Sequence, residues 1–166
     1  PTGTQTGKKN AVSVQVNRSV QRQAKKMLAS KQTFGDKGQF TPLGWFAYKG
    51  ELDTCTALLA CGAEVDELDQ EGFTPFDLAC QEGHEHIALL LINHGCDIHR
   101  VDDADGCFPL FIACQFGHLK IAALLLDKGA KIYQANNDGG TPLFIACQLG
   151  QLNVAALLAR HAKRRE

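Results

Sequence analysis

Three residues that could do chemistry crowd between positions 80 and 86: Cys80, His84 and His86. A thiolate and imidazoles are ligands that zinc favours, and a Cys near a His is the pairing that activates a nucleophile. Both chemistries demand convergence. Zinc needs four ligands within about 2.3 Å of one centre, and a nucleophilic Cys needs a His in hydrogen-bond reach and a lowered pKa. Yet Cys80 recurs one period later as Cys114 and again as Cys147, and His84 recurs as His118. Equivalent positions in stacked helical units stand roughly 10 Å apart. These residues are therefore read as small buried packing residues and turn-stabilising histidines. The acidic runs Asp66-Glu67 with Asp69 and Glu71, and Asp102-Asp103 with Asp105, lack the central Gly and closing Glu of a calcium loop. No glycine-rich phosphate cradle occurs, since Asp138-Gly139-Gly140-Thr141-Pro142 opens a helix. The sequence predicts no catalytic residue, no cofactor and no metal.

The elements that position these side chains follow from a repeat. Prolines 42, 75, 109 and 142, in Thr-Pro-Leu, Thr-Pro-Phe, Phe-Pro-Leu and Thr-Pro-Leu, stand 33, 34 and 33 residues apart. Eight residues after each comes Gly50, Gly83, Gly117 or Gly150, and twelve further on Gly62, Gly95, Gly129 or Ala162. Proline suits the first turn of a helix, where its missing N–H costs nothing, and glycine takes the left-handed conformation that ends one. Each copy reads as helix, turn, helix, loop. The second helices, such as Ile87-Ala88-Leu89-Leu90-Leu91-Ile92, are apolar enough to need cover on two sides. The first carry small residues, Ala79-Cys80, Ala113-Cys114 and Ala146-Cys147, that let a neighbouring helix approach.

The Thr-Pro-Leu openings, the period, Gly83-His84, Gly117-His118 and Gly62-Ala63-Glu64-Val65-Asp66 resemble the ankyrin repeat. The resemblance implies an all-α repeat solenoid of helix-turn-helix units with projecting β-hairpin-like loops, four repeats over 38–162 (38–70, 71–104, 105–138 and 139–162). The family's His after Thr-Pro-Leu, which ties neighbouring repeats, is Gly44, Asp77, Phe111 and Phe144 here, so that tie is expected to be missing. One extra residue between Gly95 and Pro109 should make the second projecting loop bulge. Before the repeats, Val20, Ala24, Met27 and Leu28 share one helical face, so 19–37 reads as a basic capping helix and linker, resembling a half-repeat. Residues 1–18 read as a mobile polar arm and 163–166 as a basic tail.

Charge is segregated behind a formal net charge of -1: residues 1–37 carry +7, residues 38–158 carry -11 and residues 159–166 carry +3. An acidic middle is a poor partner for nucleic acid, except through the basic arm, and a good one for a basic protein surface. No run approaches the roughly 18 apolar residues of a membrane span. The opening Pro1 suggests an excised fragment. Seven cysteines, an odd set lying in apolar stretches, suit a reducing compartment, cytoplasmic or nuclear.

The resemblance implies that the third, sixth and seventh residues after each Pro line a concave face. The partner-binding set is accordingly Trp45, Tyr48, Leu78, Gln81, Ile112, Gln115, Phe116, Gln148 and Leu149, joined by Asp102 and Asp103 on a loop tip. Leu78, Ile112 and Ile145 are the members expected to pack partly into their own repeats. Aromatic anchors with an acidic rim suit a basic or amphipathic segment of another protein. The expected function is a non-catalytic protein-interaction module. A structural subunit anchored by its basic arm, or a regulatory domain of a larger enzyme, are the alternatives.

Overall fold

The computed structural model describes residues 17–163. Most of the polar arm, residues 1–16, and residues 164–166 of the tail lie outside the described residues. Among the described residues the helices are, in order, α1 (Arg18–Ala29), α2 (Pro42–Lys49), α3 (Leu52–Ala60), α4 (Pro75–Glu82), α5 (Glu85–Asn93), α6 (Pro109–Phe116), α7 (Leu119–Asp127), α8 (Pro142–Gln148) and α9 (Leu152–Lys163). They form an all-α repeat solenoid.

Local chemistry sets the boundaries. Proline opens α2, α4, α6 and α8, and the hydroxyls of Thr41, Thr74 and Thr141 accept from the backbone N–H of Gly44, Asp77 and Phe144. Such a cap is worth about 1 kcal/mol. Phe108 replaces threonine before α6 and caps nothing; it is buried instead, its ring 5.9 Å from that of Phe111.

The helices pack in two rows. One runs α2, α4, α6, α8; the other runs α1, α3, α5, α7, α9. Between them the register repeats residue by residue: Leu58, Leu91, Leu125 and Leu158 are all fully buried, as are Ala47, Cys80 and Cys114. A fully buried leucine contributes about 1.5–3 kcal/mol relative to an exposed one. Helix α1 joins the second row, with Ala24 and Met27 buried and Arg22, Lys25 and Lys26 exposed. It takes the place of a repeat's second helix.

A tight loop precedes each first helix. Its ends pair as Phe34 with Phe40, Asp69 with Phe73, Asp102 with Cys107 and Asn136 with Gly140. In the second and fourth of these, the N–H of Gly72 or Gly139 donates three residues back, to Asp69 or Asn136. In the third, Gly106 donates four residues back to Asp102 at 3.1 Å, so the extra residue is taken up inside the turn.

In place of the tie from a His after Thr-Pro-Leu, the histidines of the Gly-His turns join successive repeats. His84 Nε2 lies 3.0 Å from the Tyr48 carbonyl, and His118 Nε2 lies 2.8 Å from that of Gln81. A carbonyl only accepts, so each Nε2 carries the proton. Gln151 donates likewise to the Gln115 carbonyl at 3.4 Å. Each tie serves a carbonyl in the last turn of the preceding first helix, where no intrahelical donor remains. It also explains the glycine there. At Gly83, with φ 78°, an added Cβ would stand 2.5 Å from the His118 ring.

Candidate protein interface

The chemistry-bearing run of Cys80, His84 and His86 is not brought together. Cys80 is fully buried and burial pushes its thiol well above the ordinary value; His84 holds the Tyr48 carbonyl; His86 is exposed, 3.6 Å from Glu85. Burial likewise pushes Cys55, Cys96 and Cys114 up to about 12, so these thiols are held as neutral packing groups.

The acidic loops divide into turn-holding and solvent-facing carboxylates. Asp69 is buried and accepts from the N–H of Glu71 and of Phe73, both at 2.9 Å. Asp102 holds the equivalent place in its loop, accepting from Asp105 N–H at 3.3 Å and donating its own N–H to Cys107. Asp66 accepts from Asp97 N–H at 3.1 Å, bridging successive loops. Asp103, Asp105, Glu67 and Glu71 are exposed.

Along the first row the residues that could meet a partner separate into two groups. Leu78 and Ile112 are only 3% and 6% exposed, packed into the stack with little surface left for a partner, whereas Trp45 and Ile145 at the same position after proline are half-buried. Gln81 and Gln115 are half-buried, and Gln148 is exposed. Phe116 and Leu149, one repeat apart in the same register, are 47% and 50% exposed. Phe116 lies against the His118 ring, centroids 6.4 Å apart.

At the other end of the row, Trp45 and Tyr48 are half-buried in an aromatic cluster that the repeat register did not announce. Phe40 lies 5.4 Å from Trp45 and 5.6 Å from Tyr48, and Phe34 lies 6.2 Å from Trp45, between ring centroids. The signal was present: Phe40 stands two residues before Pro42, as Phe73 stands before Pro75, which marks 34–40 as a further projecting loop.

A family profile for ankyrin repeats in three copies matches residues 11–102 and 99–165. The chain is an ankyrin-repeat protein. It is 39% identical over 75 residues to a rice protein named "Probable E3 ubiquitin-protein ligase XBOS33", covering 45% of this chain and 14% of that protein. To palmitoyltransferase AKR1 of Saccharomyces cerevisiae it is 38% identical over 64 residues, 39% of this chain and 8% of the relative. To human protein phosphatase 1 regulatory subunit 27 the figures are 38% over 54 residues, 32% and 35%. The match thus spans about a third of the length of the phosphatase subunit and far less of the other two relatives.

These relatives bear names of unlike function, so their likeness to this ankyrin-repeat protein fixes an architecture rather than an activity. Ankyrin repeats serve as protein-interaction modules, and the family is generally non-catalytic. Among the described residues of this ankyrin-repeat protein, no helix is long and apolar enough to cross a membrane.

Proposed function

We propose that this ankyrin-repeat protein is a non-catalytic module that binds a basic or amphipathic segment of another protein along its first-helix row. The observation that carries this reading is the pair Phe116 and Leu149, two large apolar side chains about half exposed at the same register of adjacent helices. A surface that binds nothing gains no stability from them. The exposed carboxylates of Glu67, Glu71, Asp103 and Asp105 supply the matching charge. The repeat limits 38–70, 71–104, 105–138 and 139–162, with 19–37 as cap, follow the proline register. Seven thiols without a disulfide support a cytoplasmic or nuclear setting.

Capture from a native extract, with a folded Phe116→Asp variant as control, identifies a partner; titration of that partner then tests the face. Phe116→Ala is expected to weaken binding by about 1–3 kcal/mol, mostly through a faster off-rate, while added salt slows the on-rate. Unchanged binding by a folded Tyr48, Phe116, Leu149 triple alanine variant would overturn the reading.

A further inference from the structure

We propose that the groove beside Trp45 receives an arginine side chain of the basic partner segment, and that Lys49 is an internal cation occupying the same rings until it is displaced. The inference rests on the reading above and gives it a recognition chemistry. The groove encloses about 420 Å³ between the Phe34–Phe40 loop and the ends of α2 and α4. The rings of Phe40, Trp45 and Tyr48 form one part of its wall, beside the polar side chains of Asp36, Gln39, Glu71 and Gln81: the Phe40 and Tyr48 planes differ by 19°, those of Trp45 and Tyr48 by 26° and those of Phe40 and Trp45 by 44°, and the three centroids lie 5.4–6.1 Å apart.

Such a surface attracts cations through the negative faces of its rings. The molecule already demonstrates this. Lys49 Nζ sits 4.6 Å from the Trp45 ring centroid and 5.4 Å from that of Tyr48. Lys49 is exposed and can swing into solvent. Asp36 and Glu71 also line the groove, and among the described residues neither makes an ion pair. With the ammonium held by rings, no cation of the described residues pairs with these two carboxylates. A guanidinium meets both demands. Its plane stacks on aromatic faces, and its five donors suit carboxylate oxygens, which an ammonium does less well.

Because the groove binds a partner only while Lys49 is away, its apparent affinity falls by the fraction of time it is open. The test uses an acetylated, amidated tetra-arginine peptide and its citrulline counterpart, which keeps the shape without the charge. Trp45, the only tryptophan, is the fluorescent reporter. The arginine peptide is expected to change its emission saturably and the citrulline peptide not. Lys49→Gln should tighten binding by roughly three- to tenfold, whereas Lys131→Gln, the same charge change elsewhere, should tighten it by less than about twofold. Tyr48→Ala should weaken it. Equal binding of citrulline, no saturable response, or equal effects of Lys49→Gln and Lys131→Gln would each overturn the proposal. Circular dichroism confirms that each variant is folded. The defined peptides test the groove alone, while the captured partner and Phe116 test the row, so either can fail with the other standing.

Discussion

Helices α6 and α8 begin with the same seven residues, Pro-Leu-Phe-Ile-Ala-Cys-Gln, and occupy the same register of the repeat. Their surroundings differ. Leu110 and Phe111 are 0% and 4% exposed, while Leu143 and Phe144 are 38% and 59% exposed. Cys114 is buried and Cys147 exposed. The cause is the neighbour: α6 lies between α4 and α8, whereas among the described residues nothing follows α8 in its row. One sequence thus yields a core helix and a surface helix, and burial in a repeat stack belongs to position as much as to residue type.

The sharpest way to break this comparison is to make one deletion in both copies. Phe111→Ala removes a buried ring and should cost about 3–5 kcal/mol, while Phe144→Ala, on the exposed face, should cost less than about 1 kcal/mol. Urea unfolding with unchanged m-values measures both. Equal costs would mean that the Phe144 face is covered in solution, and that the two helices are not the contrast described here.

The paired cysteines sharpen the same contrast through reactivity. Burial pushes the Cys114 thiol up to about 12, so at pH 8 its thiolate is scarce and shielded as well. Labelling by a maleimide should therefore modify Cys147 at least about a hundredfold faster than Cys114, since only the thiolate reacts and access favours the exposed site. Mass spectrometry of timed digests reads both sites in one sample. Comparable rates would show the fourth and third pairs opening together, against nearest-neighbour stacking.

How much of this was legible in the residues alone divides along the same line. The marker spacing of 33 or 34 residues locates all four proline-opened helices, and the spacing of Val20, Ala24, Met27 and Leu28 places a helix where α1 lies, its start one residue from the expected position 19. These are local signals, written in proline, glycine and apolar periodicity. What escaped depends on contacts across repeats. The ties from His84 and His118 to carbonyls 36 and 37 residues earlier carry no mark but the histidine itself. The aromatic groove escaped because Phe34 and Phe40 fall before the first proline of the register. Leu78 and Ile112, expected to pack partly into their own repeats, are buried, whereas Trp45 and Ile145 at the same position after proline are half-buried, a difference set by each helix's neighbours rather than by residue spacing.

The smallest effect concerns the second residue after proline, where Asp77 stands in the place of Phe111 and Phe144. Its carboxylate is buried, accepts from Thr74 N–H at 3.0 Å and Thr74 Oγ1–H at 2.7 Å, and lies 3.5 Å from Arg100 Nη1. Burial nonetheless outweighs these partners and raises its pKa above the ordinary 3.8, the hydrogen bonds and Arg100 only partly offsetting it. The sign follows from linkage. A carboxyl whose pKa is higher in the folded state gives stability that is full below the unfolded value and lost as pH rises through the folded one. Asp77→Asn keeps an oxygen for Thr74 N–H and removes the buried charge, at the loss of the attraction to Arg100. At pH 7 it should lie within about 1 kcal/mol of the parent. As the pH falls toward the ordinary carboxylate range, the parent should gain on the variant, which urea midpoints of the two proteins measured side by side will register. If instead the parent loses ground on acidification, the ion pair with Arg100 dominates burial at this site. The second residue after proline would then have to be treated as an electrostatic position in the second repeat and an apolar one in the third.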